Sequence, residues 1–227
     1  MKDAHMKYNN ILKATFLHRA NRFVANVMLN SHEEAVHVKN TGRCKELLLP
    51  GAEVWLTEPG TPGRKYRYDL VAVKKQNNLL INIDSQAPNK AAMEWLRIQN
   101  FDQVIPEYRY GDSRIDFFMR RGNVKFLMEV KGCTLELNGM GYFPDAPTER
   151  GVKHLHELMK AARDGYIALL AFVIQMDGVK EVRPNIAIHP GFGTALEEAK
   201  AAGMKVLFLP CHVEPDGLTV LNGNGVL

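Results

Sequence analysis

The chain of 227 residues is 46% hydrophobic and 24% charged, with a net charge of +4, the balance of a packed globular protein of one large or two small domains. No apolar run reaches the ~20 residues needed to span a bilayer, and the first residues lack the apolar core of a signal peptide. The three cysteines, Cys44, Cys133 and Cys211, have neither an even count nor zinc-ligand spacing, so a membrane protein, a cystine-stapled module and a zinc site are set aside and a reducing cytoplasm is expected.

The charge is unevenly placed. Residues 1–85 hold 13 Lys and Arg against 8 Asp and Glu, whereas residues 86–227 hold 16 against 17. A basic module beside a near-neutral one suits a phosphate-following surface next to an acidic site. An ordinary solvated surface explains the charge alone equally well.

The first 85 residues read as β. Runs rich in branched and aromatic residues at 16–29, 34–38, 53–57, 66–73 and 79–83 are separated by turn formers such as Asn40-Thr-Gly42, Pro50-Gly51 and Pro59-Gly-Thr-Pro-Gly63. About five short strands in ~80 residues predict a small OB-like Greek-key barrel, a fold that binds nucleic acid or oligosaccharide. The segment 44–49 reads as a helical turn between strands.

The texture changes near Ala87-Pro-Asn89, where Pro88 marks a helix start and 90–99 carries apolar residues at helical spacing. Strands are predicted at 103–110, 113–120 and 125–135. Arg121-Gly-Asn123 makes a hairpin turn between the last two. Val152, Leu155, Leu158 and Met159 predict a helix over 148–160. The apolar run 166–176 predicts a buried strand, followed by a helix at 193–202 and a strand at 205–209. The expected fold is therefore α/β (α+β): a barrel over 1–85 and an αβββαβ unit, continued by α-β, over 86–227.

Within the hairpin, Glu129 and Lys131 point to one face of their strand while Met128 and Val130 point to the other. Asp116 lies on the preceding strand, and a short turn can bring it beside Glu129. The apolar neighbours Ile115, Phe117, Phe118, Leu127, Met128 and Val130 mark both strands as buried. Buried carboxylates need a partner or a metal, and two together repel. A hard cation such as Mg²⁺, with Mn²⁺ a second choice, supplies the compensation and needs only one or two protein carboxylates. The alternative is a buried Glu–Lys or Asp–Lys ion pair with only a structural role.

Asp116, the triplet Glu129-Val-Lys131 and the order of elements resemble the PD-(D/E)xK nuclease superfamily. The resemblance implies that Asp116 and Glu129 hold metal and that Lys131 positions the attacking water. Many members add a Glu from the first helix, for which Glu94 is the match. Gln175 matches a Gln of a later strand, and Glu107 is a further auxiliary acid.

Longer phrases are more specific. Arg19-Ala-Asn-Arg-Phe-Val-Ala, Val36-His-Val-Lys-Asn-Thr-Gly-Arg43, Tyr110-Gly-Asp-Ser-Arg-Ile-Asp-Phe, Phe143-Pro-Asp-Ala-Pro-Thr-Glu-Arg-Gly-Val-Lys-His-Leu and Phe172-Val-Ile-Gln resemble the sugar fermentation stimulation protein A (SfsA) family along nearly the whole chain. That resemblance implies an N-terminal OB-like domain, a C-terminal PD-(D/E)xK domain and non-specific DNA binding. Lys131-Gly-Cys-Thr departs from the Lys-Ser-Val-Thr expected of the family, and Tyr66 stands where a Thr is usual. Both leave the metal ligands intact and put substrate fit in question.

Nucleic acid, DNA above all, is the expected partner, with no membrane association. Arg19, Arg22, Arg43, Arg64 and Lys65 in the basic module, and Arg150 and Lys153 at a helix start, are the residues expected to meet phosphates. Phe23 and Trp55 are read as barrel core rather than base-stacking platforms, and His154 as a surface polar residue. Two functions follow: a Mg²⁺-dependent nuclease tethered by its basic barrel, or a non-catalytic DNA-binding regulator of sugar-utilisation genes on a nuclease scaffold. An oligosaccharide-binding module is suggested only by the family name.

Overall fold

The computed structural model describes residues 4–40, 42 and 44–221. Its elements in chain order begin with β1 (Ala4–Lys7), β2 (Ile11–Asn21), β3 (Val24–Leu29), β4 (His32–Val38), β5 (Glu53–Thr57), β6 (Asp69–Lys74) and β7 (Leu80–Asn82). Then come α1 (Ala87–Leu96), β8 (Gln103–Tyr110), β9 (Ser113–Arg121), β10 (Val124–Cys133), β11 (Leu135–Leu137) and β12 (Met140–Phe143). The last are α2 (Glu149–Arg163), β13 (Ile167–Ile174), β14 (Val182–Pro184), α3 (Pro190–Ala201), β15 (Lys205–Glu214) and β16 (Gly217–Val220).

The first sheet runs β4-β3-β2-β5-β6-β7, and β4 also pairs with β6 through His37 and Asp69. That pairing closes five strands into a barrel and leaves β7 as an outer addition. Inward-facing Phe16, Ala25, Val27, Val36, Val38, Val54, Leu56 and Leu70 fill it, capped by Leu47 and Leu48. The OB-like barrel expected from the short strands is the fold observed.

The second sheet runs β1-β16-β15-β13-β10-β9-β8. Its centre, β10-β13-β15, is parallel. Both faces are covered, so β13 is apolar and buried almost throughout. One face carries α1, packed on Phe117, Met128 and Val130, while α2 and α3 lie in the other core with Leu127 and Leu170. That second core is continuous with the barrel interior.

Several elements differ from the sequence reading. The single run expected at 16–29 is the hairpin β2–β3, turning at Asn21-Arg22-Phe23, and β6 begins at Asp69 rather than at residue 66. The helical turn read at 44–49 is a single turn at 45–47, with the Leu48 N–H donating to Cys44 O at 2.9 Å. The strand β1 belongs to the second sheet, where it pairs with β16. The barrel strands start at Ile11, because Ala4–Lys7 satisfies its backbone against the far sheet's β16.

Candidate active site

The hairpin β9–β10 brings the two carboxylates together. Its ladder is regular from Val124↔Arg121 to Met128↔Phe117, which puts Glu129 opposite Asp116 at the next position. There the ladder stops. The Asp116 Oδ2 accepts the Val130 N–H at 2.8 Å, standing in for a neighbouring carbonyl, and Oδ1 accepts from Asn89 Nδ2 of α1 at 2.7 Å. Burial, and then the nearby Glu129, push the Asp116 carboxyl above its usual range against these hydrogen bonds.

Glu129 lies within the five buried residues Phe126–Val130, its side chain only 3% exposed. It shares the face of Leu127, toward α2. Its Oε1 takes Lys131 Nζ at 2.6 Å and also His154 Nδ1. Its Oε2 is buried with no hydrogen-bond partner among the described residues. Burial raises the Glu129 carboxyl, but His154 and Lys131 outweigh it and leave the group below its ordinary value.

His154 corrects the surface assignment. It is 7% exposed, held between Glu129, Lys131 Nζ at 3.3 Å and Arg150 Nε at 3.4 Å. The i, i+4 spacing sets Arg150 and His154 on one face of α2, whose first turn is capped by Thr148 Oγ1 accepting from Gly151 N at 3.0 Å. The apolar stripe Leu155, Leu158 held the signal, because it fixes which side of the helix faces the sheet. Arg150 and Lys153 remain exposed at this end.

The auxiliary residues fall into two groups. Glu94 and Glu107 line, with Asp116, Asn89, Lys90 and Arg97, a groove of about 460 Å³ on the α1 side. Each is held by an arginine, Glu94 by Arg97 at 2.5 Å and Glu107 by Arg114 at 2.7 Å. Glu107 falls between the pairs Pro106↔Phe117 and Tyr108↔Ile115 with φ +55°, so the pairing lapses opposite Asp116 without a shift of register. Gln175 is turned elsewhere. Its Nε2 donates to Asn82 O and Oδ1, both at 3.0 Å, and to Asp84 O at 3.2 Å, tying β13 to the end of the barrel. Its Oε1 occupies the space a Cβ at position 132 would need, and Pro88 Cγ would lie 2.7 Å from that Cβ. Gly132, the departure next to Lys131, thus admits this close approach.

The barrel's basic residues are unequal. Arg19 donates to the carbonyls of Asn21 (3.1 Å), Arg22, Asn40 (2.8 Å) and Gly42 (2.9 Å), so it staples the β2–β3 turn to the next loop instead of standing ready for phosphate. Arg64 is held by buried Asp69 and by Tyr66 O at 3.2 Å. Arg22 and Lys65 are exposed, each over an aromatic ring, Phe23 at 5.7 Å and Tyr66 at 5.4 Å. Phe23, read as core, is 48% exposed at the hairpin tip, while Trp55 is half-buried. Arg43 lies outside the described residues.

Among the described residues, no three His, Cys, Asp or Glu side chains gather as a metal-binding group. Two carboxylates, one with a buried open oxygen and the other raised by burial, still fit a hard cation that completes its shell with water and substrate.

Two family models cover most of the chain: the SfsA N-terminal OB domain over residues 17–83 and the sugar fermentation stimulation protein RE domain over residues 86–217. The chain belongs to the SfsA family. A sugar fermentation stimulation protein homolog of Desulfitobacterium hafniense (strain Y51) is 49% identical over 216 residues, covering 94% of each chain. One from Clostridium beijerinckii is 46% identical, covering 95% of this chain and 96% of its own. The solved structure of Pyrococcus furiosus SfsA in complex with Ca²⁺ superposes with a TM-score of 0.85 at 29% identity, over 99% of this chain and 98% of that one. The SfsA match thus spans barrel and second sheet alike. No helix among the described residues is long and apolar enough to cross a membrane.

Proposed function

We propose that this SfsA-family chain is a cytoplasmic, non-specific DNA-binding protein with a metal-dependent phosphodiesterase site in a PD-(D/E)xK nuclease-like second domain. The observation that carries the reading is the buried Oε2 of Glu129, without a hydrogen-bond partner among the described residues, beside Asp116, with Lys131 on the same strand. The Ca²⁺ complex of the Pyrococcus furiosus relative supports a hard, oxygen-seeking cation, and Mg²⁺ or Mn²⁺ is proposed here. Asp116 and Glu129 would hold it, with Glu94 joining from the groove once released from Arg97. When bound, such a cation polarises a phosphoryl oxygen and makes bound water a stronger nucleophile.

The chain's own residues do the rest. Lys131 presents an ammonium to the attacking water and to the charge that develops on the phosphoryl oxygens. Arg150 and Lys153, exposed at the start of α2, engage flanking phosphates with help from the helix N-terminus. Arg22 and Lys65 extend that basic surface onto the barrel. Asn89 and the Val130 N–H hold Asp116 in place.

The test is incubation of the full chain with labelled single- and double-stranded DNA and RNA in Mg²⁺, Mn²⁺ or EDTA, beside Asp116→Ala and Lys131→Ala. Metal-dependent cleavage lost in both variants is expected. Salt-sensitive binding without cleavage of any substrate would instead identify a DNA-binding regulator on this scaffold.

A further inference from the structure

We propose that His154, oriented by Arg150, is a positioning residue that fixes Glu129 so that Oε2 is the oxygen presented to a cation. The proposal rests on the metal-site reading above and assigns a task to two residues of α2.

The hydrogen bonds run in one direction. An ionised carboxylate can only accept, so the contact of His154 Nδ1 with Glu129 Oε1 puts the ring proton on Nδ1. Nε2 then carries the lone pair facing Arg150 Nε at 3.4 Å, while Lys131 Nζ, 3.3 Å from Nδ1, directs its proton to Oε1. Lys131 Nζ donates to the same oxygen at 2.6 Å. Two donors therefore meet at Oε1 while Oε2 has none among the described residues, although both belong to a carboxylate 3% exposed.

A structural ion pair would distribute its donors over both oxygens, since a buried acceptor left without one is costly. Loading both donors on Oε1 locks the carboxylate rotation and leaves Oε2 open for an outside ligand. Arg150 is anchored one helical turn before His154, so the chain Arg150–His154–Glu129 is fixed by helix geometry as well as by contact. Loss of a group that orients a metal-binding side chain in this way typically weakens affinity about 10–100-fold.

The test is isothermal titration of the full chain with Mn²⁺ and no nucleic acid, for wild type, His154→Ala and His154→Asn. The Asn amide places a donor near the position of Nδ1, whereas Ala removes it. We expect Kd for Mn²⁺ to rise about 10–100-fold in His154→Ala and to return to within a few fold in His154→Asn. Unfolding midpoints of the two variants should match, separating aim from folding. Nitrogen-15 NMR of the imidazole should show the Nδ1–H tautomer, and finding the proton on Nε2 would overturn the proposal without reference to metal. Wild-type binding that His154→Ala leaves unchanged, or that His154→Asn fails to restore, overturns the positioning role alone. Absence of Mn²⁺ binding in the wild type overturns the metal-site reading and the positioning role with it.

Discussion

Asp116 accepts the backbone N–H of Val130 across the point where the β9–β10 ladder ends, so a side chain completes the edge of the hairpin. The carboxylate is thus held at the one position where two strands separate, beside a second carboxylate. Its folded titration is raised by burial and by Glu129. A raised acid adds stability below its unfolded value, and that stability is lost as pH rises through the folded value.

With its amide oxygen on the Val130 N–H and the Asn89 carboxamide turned to accept from its NH2, Asp116→Asn should therefore stabilise the metal-free protein at pH 7, by on the order of 1 kcal/mol, while abolishing the proposed cleavage. Thermal unfolding should show a rise of roughly 2–4 °C. The gain should shrink as pH falls into the carboxylate range, where the wild-type acid is itself neutral. An equal or lower midpoint at pH 7 would contradict the strain assigned to Asp116.

Glu136 titrates in the opposite sense. Lys75, at the end of β6, reaches Glu136 Oε2 at 2.5 Å and Glu136 O at 2.9 Å, and the Gly139 N–H reaches Oε1 at 2.6 Å. The Lys75 hydrogen bond, then Gly139, hold this carboxyl below its usual range. Its contribution is present above the unfolded value near ~4.3 and lost as pH falls through the folded value. Glu136→Gln should cost about 1–3 kcal/mol in urea unfolding at neutral pH, with the difference closing in acid.

Adding a methyl at position 132 should drive Gln175 away from Asn82 and Asp84, because its carboxamide fills that space. Gly132→Ala should cost about 1–3 kcal/mol. Combined with Gln175→Ala the loss should be clearly less than additive, since the second change removes the obstacle. Additive losses in the double-mutant cycle would show that Pro88, not Gln175, sets the limit.

Salt dependence should sort the arginines and lysines. Lys153→Ala and Lys65→Ala should each lower the slope of log K against log salt by roughly 0.7–0.9 in DNA binding, as loss of one phosphate contact requires. Arg19→Ala should leave that slope intact and lower stability by about 2 kcal/mol, because its donors serve backbone carbonyls. A lowered slope in Arg19→Ala would mean that the staple opens to bind DNA.

Much of the fold was legible because its signals are local. Arg121-Gly-Asn123 fixes the β9–β10 register, which in turn sets Asp116 opposite Glu129. The run ending at Gln175 shows β13 through its uninterrupted apolar residues. The β2–β3 turn was invisible because Asn21-Arg22-Phe23 carries neither Gly nor Pro, and Phe23 was misassigned to the core with it. His154 was underrated because helical spacing groups it with Arg150 but does not say that this face meets a carboxylate. The quiet roles of Arg19 and Gln175 depend on carbonyls distant in sequence, which no pattern along the chain reveals.

The pairing of Ala4–Lys7 with Gly217–Val220 has a consequence for synthesis. The contact of His5 with Thr219 links positions 214 residues apart, so the outermost strand of the large sheet can be laid down only after β16 has left the ribosome. Until then the early segment waits beside a finished barrel, and β16, once made, has an open flank where another molecule's strand can pair. Extensions fused ahead of residue 4 should therefore slow maturation and promote association more than equal extensions inserted in the barrel's surface turns.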